Sequence, residues 1–67
     1  MTRPAEVRIT DRPGVFVADA AELDGEWLHV AGRWRTRGGP NNEQLTFSER
    51  REYTFPRQVV RRIRWTP

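Results

Sequence analysis

The chain has no cysteine and no lysine, and it contains a single serine, Ser48, and a single histidine, His29. Without cysteine it can form neither a disulfide nor a thiolate metal site, the staples that small domains commonly add. The lack of cysteine also fits a reducing compartment. A nucleophile needs a base within hydrogen-bond reach, and one serine with one histidine is a poor inventory. No motif points to a specific activity, and the expectation is a protein that is not an enzyme. Long apolar runs are missing too: nothing approaches the roughly 18 residues a membrane-crossing helix needs, and the N-terminus lacks the apolar centre of a signal peptide. The expectation is a soluble, cytoplasmic protein with no membrane partner.

What is present is short and basic. Sixty-seven residues allow one domain, and a chain of that size hides only about 60% of the surface its unfolded form exposes. Stability must come from an economical core or from self-association. All twelve basic residues are arginine, a usage that fits GC-rich coding and a bacterial, phage or plasmid accessory protein better than it fits selection for bidentate phosphate contacts. Their distribution is uneven. Residues 1–26 carry three arginines against six carboxylates, whereas residues 50–67 carry six arginines against Glu52 alone. Such asymmetry marks either an anionic partner at the basic end or contact between copies of the chain.

Residues 1–4 show no periodicity and read as a flexible lead-in to one domain spanning 5–67. Glu6 to Thr10 then alternates, with Val7 and Ile9 on one side, the period of a half-buried strand. Asp11-Arg12-Pro13-Gly14 is a turn, and a second strand starts near Val15. Asp24-Gly25 is the dipeptide of two-residue hairpins. With those two residues as the turn, Val15 faces Trp34, Val17 faces Gly32, Asp19 faces Val30 and Ala21 faces Leu28 on one side. Phe16 with Arg33, Ala18 with Ala31, Ala20 with His29 and Glu22 with Trp27 share the other. A slip of one residue exchanges the faces, and the bland Ala18 to Ala21 run has room for a bulge.

Gly38-Gly39-Pro40-Asn41-Asn42 is a hairpin loop. Pairing resumes near Leu45 and runs to Phe55, with a bent or exposed middle where Glu49 to Glu52 is polar throughout. After Pro56 the segment 56–64 is open to two readings. Val59, Val60 and Ile63 could line a helix face, but adjacent valines and the closing Trp65 favour a strand.

Five short strands with tight turns predict an all-β fold, a small five-stranded antiparallel barrel, since closure removes exposed edges. Gly25-Glu26-Trp27 after an acidic loop, the long central hairpin, and Phe55-Pro56 followed by Val59 and a last strand together resemble the SH3-like barrel class. That resemblance implies a short 3-10 turn before the closing strand. The tyrosine-rich ALYDY motif is missing and Trp27 stands where the peptide-binding family has a pair of tryptophans, so proline-peptide binding is not carried over.

No cofactor or metal is expected. His29 could exchange a proton near Glu22, although a lone strand histidine is ordinarily a surface residue. Asp19, Glu22, Asp24 and Glu26 bracket a tight turn without the spacing of a Ca²⁺ loop, and Gly38-Gly39 lacks the lysine of a phosphate loop. The binding case is stronger. On the register above, Trp27, His29, Arg33 and Phe16 share a face, Arg35 continues it and Arg37 reaches the loop. Aromatic rings beside guanidinium groups can stack bases and neutralise phosphates, though Trp27 and Phe16 could equally cover an open barrel end. Arg50, Arg51, Arg57, Arg61, Arg62 and Arg64 form either a phosphate strip or a solvated face interleaved with Glu49 and Glu52.

The expected function is nucleic-acid binding with little base reading. Arg33, Arg35, Arg57, Arg61, Arg62 and Arg64 would contact phosphates, and Trp27 would stack on a base. The alternative is a protein-interaction module or small regulatory subunit that docks through its acidic hairpin and basic C-terminal seam onto a larger partner or a second copy.

Overall fold

A computed structural model describes all 67 residues. Six strands form one antiparallel sheet: β1 (Arg3–Ile9), β2 (Val15–Asp24), β3 (Trp27–Gly38), β4 (Gln44–Phe47), β5 (Arg51–Pro56) and β6 (Val60–Trp65), with a 3-10 turn over Arg57–Val59. The fold is all-β, and the segment after Pro56 is a 3-10 turn followed by a strand rather than an α-helix. Across the sheet the order is β4-β3-β2-β1-β6, and β5 also pairs with β3. No helix is long and apolar enough to cross a membrane.

Two expectations are corrected here. There are six strands, not five, and the sheet is not closed into a barrel. The extra strand arises where the predicted fourth strand breaks, because Ser48–Arg50 leave the ladder between β4 and β5. At that point the Ser48 hydroxyl accepts a hydrogen bond from the Trp34 amide at 3.0 Å, and the Ser48 amide donates to the Trp34 carbonyl at 2.9 Å. One side chain thus stands in for a ladder acceptor while the strand turns away. The two outer edges, β6 and β4/β5, share no ladder. The 3-10 turn joins β5 to β6 along the chain and is tied to the β2/β3 turn and to the end of β1, as the Arg57 amide donates to the Glu26 carbonyl (2.7 Å) and the Thr10 amide to the Val59 carbonyl (2.9 Å).

β1 follows the predicted alternation, burying Ala5, Val7 and Ile9, and it starts earlier than the sequence suggests. Arg3 pairs with Ala21, so Arg3 and Pro4 belong to the sheet rather than to a loose lead-in. Pro4, with no N–H to give, sits where the β1/β2 register shifts, a position proline tolerates.

The β2/β3 register also differs from the expected one. Asp24 pairs with Trp27, which makes Gly25-Glu26 the two-residue turn. Gly25 has a φ of 59° and Glu26 has no positive φ, the pattern of a II′ hairpin with glycine in its first central position. Near the turn, Glu22 faces His29 and Ala21 faces Val30. Beyond it, Asp19 is an extra residue, since Ala20 faces Ala31 but Ala18 faces Gly32. This bulge exchanges the faces of the first half of β2. Phe16 therefore faces Trp34 in the core instead of sharing an outer face with Arg33. Gly32 is required opposite the bulge, because a Cβ there would lie 2.1 Å from the Val17 carbonyl oxygen.

The core gathers Ala5, Val7, Ile9, Phe16, Ala18, Ala21, Leu28 and Val30. Phe16 is its centre, edge-on to Trp34 at 5.1 Å and to Tyr53 at 5.5 Å, while Tyr53 stacks on Phe55 at 5.2 Å. Trp34 Nε1 donates to the Tyr53 hydroxyl at 3.1 Å, which satisfies the two polar atoms this aromatic cluster half-buries. The molecule measures 41 × 21 × 21 Å. A strand rises about 3.3 Å per residue, so the 12 residues of β3 account for the long dimension. The far end of β3 and all of β4 form a two-stranded arm, in which each of the four β4 residues is exposed.

Candidate nucleic-acid interface

The outer face of the sheet is ordered by the ladders. Arg62 faces Arg8, and Arg64 faces Glu6, across β6/β1. On β2 and β3, Val17 faces Arg33 and Val15 faces Arg35. Arg35 in turn faces Phe47, and Arg37 faces Leu45, across β3/β4. Arg8 is the hub. It lines a depression with Glu6, Val15, Arg62 and Arg64, a second with Arg35, Arg37 and Asn42, and a third with Arg61 and Arg62 alone. Val15 lies among these arginines and is only 7% exposed, consistent with guanidinium groups held in water above apolar stems.

A second bulge shapes this cluster. Arg8 pairs with Arg62 but Ile9 pairs with Val60, so Arg61 is the extra residue of β6. Without it, strand alternation would send Arg61 and Arg62 to opposite faces; with it, both border the same depression beside Arg8. Like charges directly opposite one another in a ladder destabilise it. The Arg8–Arg62 pair is therefore a local cost that the fold tolerates.

Ion pairing sorts the remaining arginines. Arg50 donates twice to Asp19, at 3.0 and 3.1 Å, and this bidentate bond holds the Asp19 carboxyl below its ordinary range. Arg51 pairs with Glu49 at 3.3 Å and Arg35 with Glu6 at 3.3 Å. Arg33 donates to the Ser48 carbonyl at 3.1 Å. Arg3 lies over Trp65 and Arg12 over Trp34, each 5.3 Å from the ring centroid. Arg8, Arg37, Arg57, Arg61, Arg62 and Arg64 have no carboxylate within ion-pair distance.

Of the residues singled out in the sequence, Arg35, Arg61, Arg62 and Arg64 converge around Arg8, and Arg33 continues the same face one row away. Trp27 and Arg57 do not line these depressions. Trp27, half exposed, faces Pro56 across β3/β5, and Arg57 sits in the 3-10 turn against Glu26. Arg50 and Arg51 are occupied by Asp19 and Glu49, the arrangement of a solvated face. Phe16 is fully buried and can meet no ligand. Three residues were missed as members of the face: Arg8, Leu45 and Phe47. Strand alternation already put Arg8 on the solvent side of its strand, but only the β1/β6 pairing carries it from the acid-rich half of the chain into the basic cluster.

His29 faces Glu22 as well as Thr54, and its Nδ1 lies 3.0 Å from the Thr54 hydroxyl. Together with Glu22, Glu52, Ala20 and Ala31 it borders an open depression of about 320 Å³. Ser48 bonds to Trp34 and Glu49, and no hydrogen bond joins it to His29. No family model matches the chain, and no similar curated protein or solved structure was found.

Proposed function

We propose that this is a non-enzymatic, cytoplasmic nucleic-acid-binding module whose arginine face around Arg8 holds phosphates with little base reading. The observation that carries the reading is the cluster of Arg8, Arg61 and Arg62. These three border one depression, lack carboxylate partners, and include a like-charge cross-strand pair. A phosphate between them would turn the repulsion into charge-assisted hydrogen bonds, with guanidinium geometry suited to bidentate contact. Arg64, Arg35 and Arg33 extend the strip. The strand order and the 3-10 turn before β6 support the further reading of the domain as an opened SH3-like barrel.

The test is a fluorescence-anisotropy titration of labelled oligonucleotides at several salt concentrations. The expected result is binding whose logarithm falls linearly with log salt. Arg61→Ala/Arg62→Ala should reduce that slope by about two, as each lost phosphate contact lowers it by about one. Absence of binding at low salt, where a basic strip is strongest, would reject the proposal.

The second reading, a protein-interaction module, is favoured by a different place. Glu22, Glu52 and His29 line this depression with the small side chains of Ala20 and Ala31, and Glu22 already accepts a hydrogen bond from the N-terminal ammonium at 3.2 Å, a surface suited to a basic segment of a protein. Co-purification of a protein partner that survives nuclease treatment would support it.

A further inference from the structure

The arm formed by the end of β3 and β4 has no core beneath it, yet its outer face is organised. Arg35 and Arg37 form a column on β3, and Phe47 and Leu45 form a column directly opposite on β4. Phe47 is 51% exposed and Leu45 48%. Arg37 has no carboxylate partner, whereas Arg35 is paired with Glu6 at 3.3 Å; exposed large apolar groups beside such cations are poor solvation and good recognition chemistry. The same face continues without interruption into the Arg8 cluster, since Arg8, Arg35, Arg37 and Asn42 line one depression.

Resting on the phosphate-binding reading above, we propose that this arm is a ribbon that enters the major groove of double-helical DNA. The dimensions agree. Paired strands lie about 4.8 Å apart, and a two-stranded ribbon with its side chains fits a groove about 12 Å wide. In that position Leu45 and Phe47 meet the thymine methyl groups of the groove floor, while Arg37 reaches base edges or the flanking phosphates. Arg8, Arg61 and Arg62, on the body, follow the backbone beside the groove.

Single-stranded nucleic acid fits less well. Proteins that hold it line up successive aromatic platforms, and Phe47 is the one exposed aromatic on this face, Trp27 lying apart opposite Pro56. A-form RNA has a major groove too narrow for side chains. A second copy of the chain pairing along the free edge of β4 would find four ladder residues, far short of the roughly 800 Å² per partner of a stable interface.

The experiment compares a labelled duplex, the same duplex with uracil in place of thymine, and the single strand. The proteins are wild type, Arg37→Ala, Leu45→Ser/Phe47→Ser and Arg61→Ala/Arg62→Ala, with near-ultraviolet circular dichroism checking each fold. Wild type should bind the thymine duplex roughly tenfold more tightly than the uracil duplex or the single strand. The Leu45→Ser/Phe47→Ser protein should lose both preferences while keeping its fold, and Arg37→Ala should lower the salt slope by about one. If the arm variants bind duplex like wild type while Arg61→Ala/Arg62→Ala weakens it, the ribbon proposal fails and the phosphate strip stands. If wild type binds no oligonucleotide at low salt, both fail. If Leu45→Ser/Phe47→Ser abolishes a concentration-dependent mass without changing DNA affinity, the arm is a self-association edge and the proposal is overturned.

Discussion

The two halves of β3 belong to different kinds of structure. From Trp27 to Arg33 the strand alternates exposed or half-buried residues with buried Leu28, Val30 and Gly32, and it is held between β2 and β5. From Arg35 to Gly38 it has no buried residue and pairs with β4, all of which is exposed, and past Arg35, which still faces Val15 of β2, β4 is its one partner. The body therefore rests on the aromatic core around Phe16, and the arm rests on ladder hydrogen bonds and cross-strand pairs. A two-stranded ribbon alone is marginal in water. Its local opening should require far less free energy than unfolding the body, which leaves it free to adapt its twist to a partner.

The largest expected effect comes from making one truncation in both regions. Phe16→Ala removes the fully buried ring that Trp34 and Tyr53 contact edge-on, and should cost about 3–5 kcal/mol, enough to unfold a domain this small. Phe47→Ala removes a half-exposed ring from the arm and should cost under about 1 kcal/mol. Urea titrations monitored by circular dichroism decide it, and similar costs at the two sites would mean that the arm shares the core's cooperativity.

Tyr53→Phe sharpens the picture of the body. It keeps the ring contacts and removes the acceptor of the Trp34 Nε1 hydrogen bond, so the urea midpoint should drop by the equivalent of about 1 kcal/mol. An unchanged midpoint would mean that water replaces the hydroxyl without loss.

The smallest effect belongs to the exposed Asp19–Arg50 pair, which joins the β2 bulge to the segment between β4 and β5. The Asp19 carboxyl is held low, chiefly by its hydrogen bonds with Arg50. A depressed folded-state value means that the pair's stabilisation is present above the unfolded carboxylate value, about 3.9. It is lost as pH falls through the lower folded value. Asp19→Asn should therefore lower the thermal midpoint slightly near neutrality and not at all in strong acid. An equal loss at both pH values would assign the effect to packing instead.

Much of the body was legible in the chain. Val7 and Ile9 alternate with Glu6 and Arg8, Asp11-Arg12-Pro13-Gly14 breaks the pattern, and Pro56 with Val59, Val60 and Ile63 marks a turn and a closing strand; each is a local signal. The bulges at Asp19 and Arg61 were not legible to the same degree. The alanine-rich stretch has too little contrast to show which side faces inward, and Arg61-Arg62 has none. One of these insertions sends Phe16 to the core instead of the surface, and the other brings two consecutive arginines to Arg8. The candidate face was half visible: Arg35, Arg61, Arg62 and Arg64 were read as members, whereas Arg8 showed only as the solvent side of a strand in the acidic half and Phe47 had nothing to distinguish it.

By itself the sequence determined an all-β chain without disulfides, a tight hairpin turn near Gly25 and an excess of arginine at the C-terminal end, because propensity, turn chemistry and composition act over a few residues. Only the tertiary structure decided that the sheet stays open, that β3 outruns the core to make an arm, and that an arginine from the acidic half joins the basic face. Those outcomes depend on which strands pair and in what register, and pairing is set by the burial of one shared core rather than by any local stretch.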